Sequence, residues 1–323
     1  MSLDVVLCTH NPRLPTLRRV INALVRQTSG PQSFRFLLVD NASSPPVRND
    51  VLHPLTRAGV DARRVEEPAL GLTRARLRAL AETRAELLLF VDDDNELSER
   101  YLEEGLRFAS KHPGVGAFGG KLLLPPELEP PYWVSPFLNY LGIKDAGDEV
   151  IVGSSLAWGP WEPPGAGLFV RRVVAQAYGR RVESDPRCLL LGRQGERGLA
   201  SCDDSFLVRQ APSLGLSTAY VPQLWLHHHL EPERFRYRYL LRLLTAFGAS
   251  LAVLEALVSE TAEIPNRYRG RMRSLITAWH GYRIGRRRSQ RFGFAMFGHH
   301  LAARRAWVQL SRDATFGQPS GTR

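Results

Sequence analysis

Three short apolar runs in the first hundred residues each stop at a polar cluster, and this pattern constrains the fold more than any other feature of the chain. Leu3-Asp4-Val5-Val6-Leu7-Cys8 runs into Thr9-His10-Asn11-Pro12, Phe34 to Val39 ends at Asp40-Asn41-Ala42-Ser43, and Leu87 to Val91 ends at Asp92-Asp93-Asp94-Asn95. Each run has the length of a buried strand. Between them the apolar period is helical: Leu14, Leu17, Val20, Ile21, Leu24 and Val25 share one face of residues 13–27, and a second helix is expected near residues 72–84. Strands alternating with helices imply βαβ units and a mainly parallel sheet. In open sheets of this kind ligands bind outside the carboxyl ends of the strands, where the three polar clusters fall.

Further along, Ser98 is placed to cap a helix carrying Leu102, Leu106 and Ala109. Residues 125–165 are rich in proline, glycine and aromatics, with Trp133, Trp158 and Trp161 among them, and suit either a recognition surface or a cover for one sheet edge. Gly165 to Val170 returns to a strand, Asp203-Asp204 opens a helix, and Thr218–Val221 is another strand leading to His227-His228-His229. From about residue 232 the pattern is helical to near 310. The apolar run between Arg242 and Glu255 is too short for a bilayer, so no membrane-spanning helix is expected. The first residues are too short and too acidic for a signal peptide.

Composition excludes some classes. With 44% hydrophobic and 23% charged residues, wholesale disorder is ruled out. Three cysteines without C-x-x-C spacing argue against a disulfide framework or structural zinc, and for a reducing compartment. The net charge of +11 is uneven: residues 264–323 hold 13 arginines against one acid, Asp313. A basic segment with interleaved Tyr282, Phe292, Phe294 and Phe297 points to an anionic surface, with a membrane preferred over nucleic acid; the plainer alternative is a solvated helix face.

The carboxylates carry the chemistry. Three consecutive aspartates after a buried strand repel one another, and a divalent cation resolves the conflict while neutralising a phosphate leaving group. A solvated strand-to-helix turn is the competing reading. Asp40 could accept hydrogen bonds from a nucleotide base or ribose, or close an Asx turn. Asp203-Asp204 supplies either a general base or a helix cap. Side chains alternate along a strand, so at most one or two of the three histidines act together.

Taken in series, these stretches resemble the family-2 inverting glycosyltransferases of the GT-A fold. Val5 to Pro12 is similar to that family's first strand and loop, Phe36 to Ser43 to its second strand end, and Leu70-Gly71-Leu72-Thr73-Arg74-Ala75-Arg76 to its glycine-to-arginine helix start. Leu89 to Asp94 resembles the D-x-D stretch, Cys202-Asp203-Asp204-Ser205-Phe206-Leu207 the E-D motif with Asp203 for Glu, and His228 ahead of Arg234 the late His. Leu77 stands where Asn is usual.

The resemblance implies an α/β GT-A (Rossmann-like) fold, a mixed, mainly parallel sheet flanked by helices with a C-terminal helical extension. Its transferase domain would cover residues 1–235, with a nucleotide-binding half to about 120 and an acceptor half beyond, and residues 236–323 would form the basic extension. It implies donor contacts from Thr9, Asn11, Asp40, Arg74, Asp92 and Asp93, and Mg2+ or Mn2+ held by Asp94, Asp92 and His228. Asp204 would be the base, with Asp203 the other candidate, and Trp133, Trp158 and Trp161 would meet the acceptor. The expected reaction moves a sugar from a nucleotide-diphosphate donor, UDP first among them, to a hydroxyl of a glycan, lipid-linked or other acceptor. The expected station is the cytoplasm, with the inner membrane face as a docking surface. Two alternatives remain at this level: an inactive scaffold of the same fold, and a sugar-phosphate nucleotidyltransferase, which would want a glycine-rich loop where Thr9-His10-Asn11-Pro12-Arg13 has none.

Overall fold

The computed structural model describes residues 1–195, 198–259, 275–276, 279 and 290–316. The expected strands are present as β1 (Leu3–Thr9), β2 (Arg35–Asn41), β3 (Asp61–Glu67) and β4 (Leu87–Val91). Three of these, β1, β2 and β4, are almost wholly buried, as strands covered on both faces must be. The remaining strands are β5 (Asn95–Leu97), β6 (Val115–Leu123), β7 (Ile151–Gly153), β8 (Leu168–Arg171) and β9 (Ser217–His228). The sheet runs β3-β2-β1-β4-β8-β6-β9-β5, with β7 on β9. It is parallel through β3, β2, β1 and β4, turns antiparallel at β8, and is parallel again between β6 and β9.

Helices follow the expected alternation: α1 (Leu14–Val25), a short α2 (His53–Arg57), α3 (Leu72–Glu82), α4 (Tyr101–Lys111), α5 (Arg172–Ser184), α6 (Asp203–Val208) and α7 (Gln210–Ser213). Leu17, Val20, Ile21 and Leu24 of α1 enter the same core as Val5, Leu7, Phe36 and Leu38 of the strands.

Several local expectations change. Ser98 does not cap α4 with its side chain: its hydroxyl is buried without a partner among the described residues, and its backbone carbonyl accepts from the Tyr101 N–H at 3.0 Å and from Gln27 Nε2 at 2.8 Å. The strand at 61–67 escapes sequence reading because it is polar; among the described residues it pairs only with β2, at the edge of the sheet. Strand β6 is masked by three glycines among nine residues. Strand β9 runs twelve residues, through the histidines, and β8 starts only at Leu168, leaving residues 165–167 as a loop.

The chain divides into two compact units. The first comprises Met1–Glu129, Leu141–Ser184 and Asp204–Leu230 and contains the whole sheet. The second comprises Pro130–Tyr140, Asp185–Asp203 and Glu231–Arg323. In the second, α8 (Tyr237–Ser259) packs on α9 (Gln290–Phe316), with Ala252, Ala256, Ala303 and Trp307 buried between them. The two backbones come so close at Gly248 that an added Cβ would stand 2.1 Å from the His299 carbonyl oxygen, so only glycine fits the crossing. Helix α8 also corrects the sequence expectation about membrane-spanning length. Its 23 residues, with a mean hydropathy of 1.7 over the most apolar window, are long and apolar enough to cross a bilayer by length and composition, although half of that window is buried inside the protein. Arg286-Arg287-Arg288 and Tyr282, on which the anionic-surface reading leans, lie outside the described residues.

Candidate active site

The site is assembled at the carboxyl ends of β1, β2 and β4. The β1–β2 register sets Thr9 beside Asp40. Thr9 donates its hydroxyl to Asp93, joining the end of β1 to the triple aspartate. Asn11 adopts a left-handed backbone (φ 50°), which asparagine tolerates, and exchanges hydrogen bonds with the next strand end: its N–H donates to Ser43 Oγ at 2.9 Å and its Oδ1 accepts from the Ser44 N–H at 2.8 Å.

Asp40 is turned inward. It is 2% exposed, and its carboxylate accepts from the Val47 N–H at 2.8 Å, the Ser43 N–H at 3.3 Å and Arg64 Nη1 at 2.9 Å. The Asx-turn alternative is therefore present, reinforced by the half-buried Arg64 guanidinium. Asn41 does similar work, donating to the Glu67 and Ala69 carbonyls and accepting from Gly71 N–H at 2.8 Å, which anchors the start of α3.

At the end of β4, Asn95 folds the aspartates into a tight turn. Its Oδ1 accepts from the Asp92 N–H at 3.0 Å and its Nδ2 donates to Asp94 Oδ1 at 3.1 Å. The β5–β9 pairing sets Asn95 opposite His228. His228 Nε2 consequently lies 3.3 Å from Asp94 Oδ2, while His228 Nδ1 is buried without a hydrogen-bond partner among the described residues. The three histidines diverge as strand alternation requires: His227 packs its ring on Trp225, and His229 pairs with Glu96 at 2.8 Å.

A carboxylate oxygen and an imidazole nitrogen 3.3 Å apart are suitable neighbours in a cation's coordination sphere. Among the described residues no group of three or more His, Cys, Asp or Glu is arranged to hold a metal alone, so Asp92 does not complete such a group with them. This donor set fits a magnesium- or manganese-type site completed by substrate phosphates and water, rather than an all-protein cage.

The second half of the site is a loop and a helix start. Asp203 is 3% exposed, whereas Asp204 is only half-buried. Asp204 Oδ2 accepts from the Gly165 N–H at 2.9 Å and its Oδ1 from the Ser205 N–H at 2.9 Å. A Cβ on Gly165 would stand 2.8 Å from Asp204 Cβ and 3.0 Å from Arg76 Nη2, so the absence of a side chain there is what lets the three approach. Arg76 is buried, with its guanidinium over the Phe90 ring at 5.5 Å. Phe90 pairs with Leu168 across β4 and β8. The Gly165–Gly167 loop thus enters the sheet beside the end of β4, and Asp204 shares that rim with the triple aspartate.

Arg76, rather than Arg74, reaches this rim; Arg74 lies on the exposed side of α3. Trp158 is 68% exposed, and Trp161 fits against Gly153 and Gly159, both in the first unit. Trp133 belongs to the second unit and is half-buried there. Sequence reading also missed Glu162, Arg209 and Lys144, which the fold alone brings together. The Glu162–Arg209 ion pair, 3.1 Å apart, is 47 residues long in sequence and has no local signature. For Gly165 the signal was there, as G-A-G ahead of an apolar strand.

Comparison with known proteins defines the class. Residues 4–147 match the model for glycosyl transferase family 2, so this stretch carries a glycosyltransferase domain of that family, set in a sheet of the GT-A kind. Among solved structures it is similar to TarS from S. aureus, with a TM-score of 0.52 and 12% identity over 94% of this chain and 55% of that one. It is also similar to the mannosyltransferase PcManGT from Pyrobaculum calidifontis, solved with GDP-Man and Mn2+, with a TM-score of 0.51 and 16% identity over 98% of this chain and 76% of that one. At these identities the likeness is one of fold. The chain spans about 55% of the length of the TarS chain. No curated protein sequence gives a significant match.

Proposed function

We propose that this glycosyltransferase moves a sugar from a nucleoside diphosphate donor to an acceptor hydroxyl in a single inverting displacement, with Asp204 as general base. The observation that carries the reading is the half-exposed Asp204 carboxylate, oriented by Gly165 and Ser205 on the rim it shares with Asp92–Asp94. Its less engaged face is available to a hydroxyl, whereas the Asp203 side chain is buried.

In the reaction the acceptor O–H gives its proton to Asp204 as its oxygen bonds to the anomeric carbon, and the bond from that carbon to the diphosphate oxygen breaks. The nucleoside diphosphate departs from the opposite face, and the oxocarbenium-like state between is lowered by the nearby carboxylates. The base contributes about 100- to 10,000-fold. Thr9, Asn11 and the Asp92–Asp94 turn shape the donor side, with Asp40 holding the 43–47 loop that borders it. Asp94 and His228 would hold a divalent cation, which offsets charge on the leaving diphosphate. Trp158 and Trp161 offer an apolar face for the acceptor. The exposed Leu275, Ile276 and Trp279, within a segment where arginine outnumbers acid thirteen to one, support docking on an anionic membrane at the cytoplasmic side.

A thermal-shift panel of UDP and GDP, each with and without Mn2+ or Mg2+, tests the donor side. One nucleotide at about 100 times its Kd should add about 2.7 kcal/mol and raise the melting temperature by several degrees, with the cation strengthening the effect. No shift with any combination would remove the donor assignment. Binding without sugar release, with the parent and Asp204→Asn alike, would favour a scaffold.

A further inference from the structure

Helix α6 is tied at both ends to one loop. At its start Asp204 Oδ2 accepts the Gly165 N–H at 2.9 Å, and just past its end Arg209 Nε donates to Glu162 Oε2 at 3.1 Å. Between those two loop residues lie Pro163 and Pro164, whose rings fix φ and leave the segment little freedom. The loop backbone is held from behind as well: Lys144 Nζ donates to the Pro160 carbonyl at 2.8 Å and the Glu162 carbonyl at 2.6 Å.

Stability alone is a weak reason for a buried ion pair such as this one. Glu162 and Arg209 are only 5% and 6% exposed. Desolvating two charges offsets most of their attraction, and buried pairs are often replaced by apolar residues without loss of stability. Burial pushes the Glu162 carboxyl up, Arg209 pulls it back, and the negative charge of Asp204 pushes it up again, so Glu162 stands electrostatically close to the proposed base. Burial likewise brings the Lys144 ammonium down to about 8. Two buried ionic groups and the half-buried Lys144 converge on one short loop whose far end touches Asp204.

We propose that the Glu162–Arg209 pair, braced by Lys144, is a positioning device for Asp204: it fixes the spacing between loop and helix so that the Gly165 N–H aims the base carboxylate. The ion pair is one anchor, the Gly165–Asp204 hydrogen bond is the other, and the two prolines transmit the first to the second. As a catalytic device this rests on Asp204 being the base; as a geometric one it does not.

The test uses the full chain and the double variant Glu162→Met/Arg209→Leu, which removes both charges together and avoids leaving one buried alone. Glu162→Gln is the companion single variant. Hydrogen exchange of the Gly165 amide is the first readout, and it needs no ligand. Exchange at least 10-fold faster in the double variant, with amides of β1 and β2 unchanged, is expected; unchanged protection at Gly165 overturns the proposal.

Turnover is the second readout, as hydrolysis of UDP-GlcNAc or GDP-mannose with water as acceptor. The expected result is a kcat lowered about 10- to 100-fold at unchanged donor KM. A folded double variant with parental kcat, when Asp204→Asn is inactive, overturns the positioning role while sparing the base. An Asp204→Asn variant with parental kcat overturns the base, and the catalytic meaning of the pair with it.

Discussion

Asp40 and Asp204 are the same residue type at the same kind of place, the rim of one sheet, and they are held in opposite ways. Asp40 receives two backbone N–H groups and a guanidinium and is buried at 2% exposure. Asp204 receives two backbone N–H groups at the head of a short helix and stays half open. A buried carboxylate given a guanidinium as well becomes a structural clasp, and a half-open one given only backbone donors keeps an outward lone pair for chemistry. The same contrast divides the site's two halves. Around β1 and β2 the polar residues knit neighbouring strand ends together, whereas around Gly165 and Asp204 a distant ion pair holds a loop against a helix.

The sharpest way to break this comparison is to exchange the effects. Asp204→Asn should lower sugar transfer about 100- to 10,000-fold with little change in denaturation midpoint. An equal loss of stability would show Asp204 to be a clasp too. Asp40→Ala should do the reverse, costing about 1–3 kcal/mol in a denaturant titration because the buried Ser43 and Val47 N–H groups lose their acceptor, while kcat measured well below the melting point changes little.

Gly165→Ala probes the junction itself. The added methyl meets Asp204 Cβ and Arg76, and a displacement of the base by a fraction of an ångström to about 1 Å should reduce kcat up to about 100-fold. Its nucleotide-induced thermal shift should match the parent's. Asn41→Ala should cost about 1–3 kcal/mol by leaving the buried Gly71 N–H and the Glu67 and Ala69 carbonyls without their partner, again with stability as the readout.

The smallest effect belongs to the second unit. Burial holds the His299 imidazole below its ordinary range, with neighbouring His300 lowering it further and the bond to the Leu244 carbonyl acting against both. As pH falls from 6.5 toward the folded value, the unfolded chain takes up a proton that the folded chain resists, so stability declines with acidification in that window. His299→Gln should flatten this dependence when melting is followed from pH 7 to 5. An unchanged slope would place the sensitivity elsewhere.

Much of the first half could be read in advance. Strand ends at Thr9, Asp40 and Asp92 follow from apolar runs stopped by polar residues, a rule that works because a strand buried on both faces must be apolar over its whole length. Strands β3 and β6 escaped it, one because an edge strand can be polar and the other because glycine carries no hydropathy pattern. The motif pointed to Arg74, and the structure adds Arg76 at the rim, since helix phase decides which of two arginines two residues apart faces inward.

By itself the sequence determined the alternation of strands and helices, the carboxylates at the strand ends and the family resemblance their motifs carry, because all of these are written in residues close together along the chain. Only tertiary structure decided which carboxylate is spent inward and which remains open, that the ring of His228 rather than those of its neighbours meets the Asp94 carboxylate, and that Glu162 and Arg209 join behind the base. Those outcomes depend on desolvation and on contacts between residues far apart in sequence, and neither quantity exists until the chain has folded.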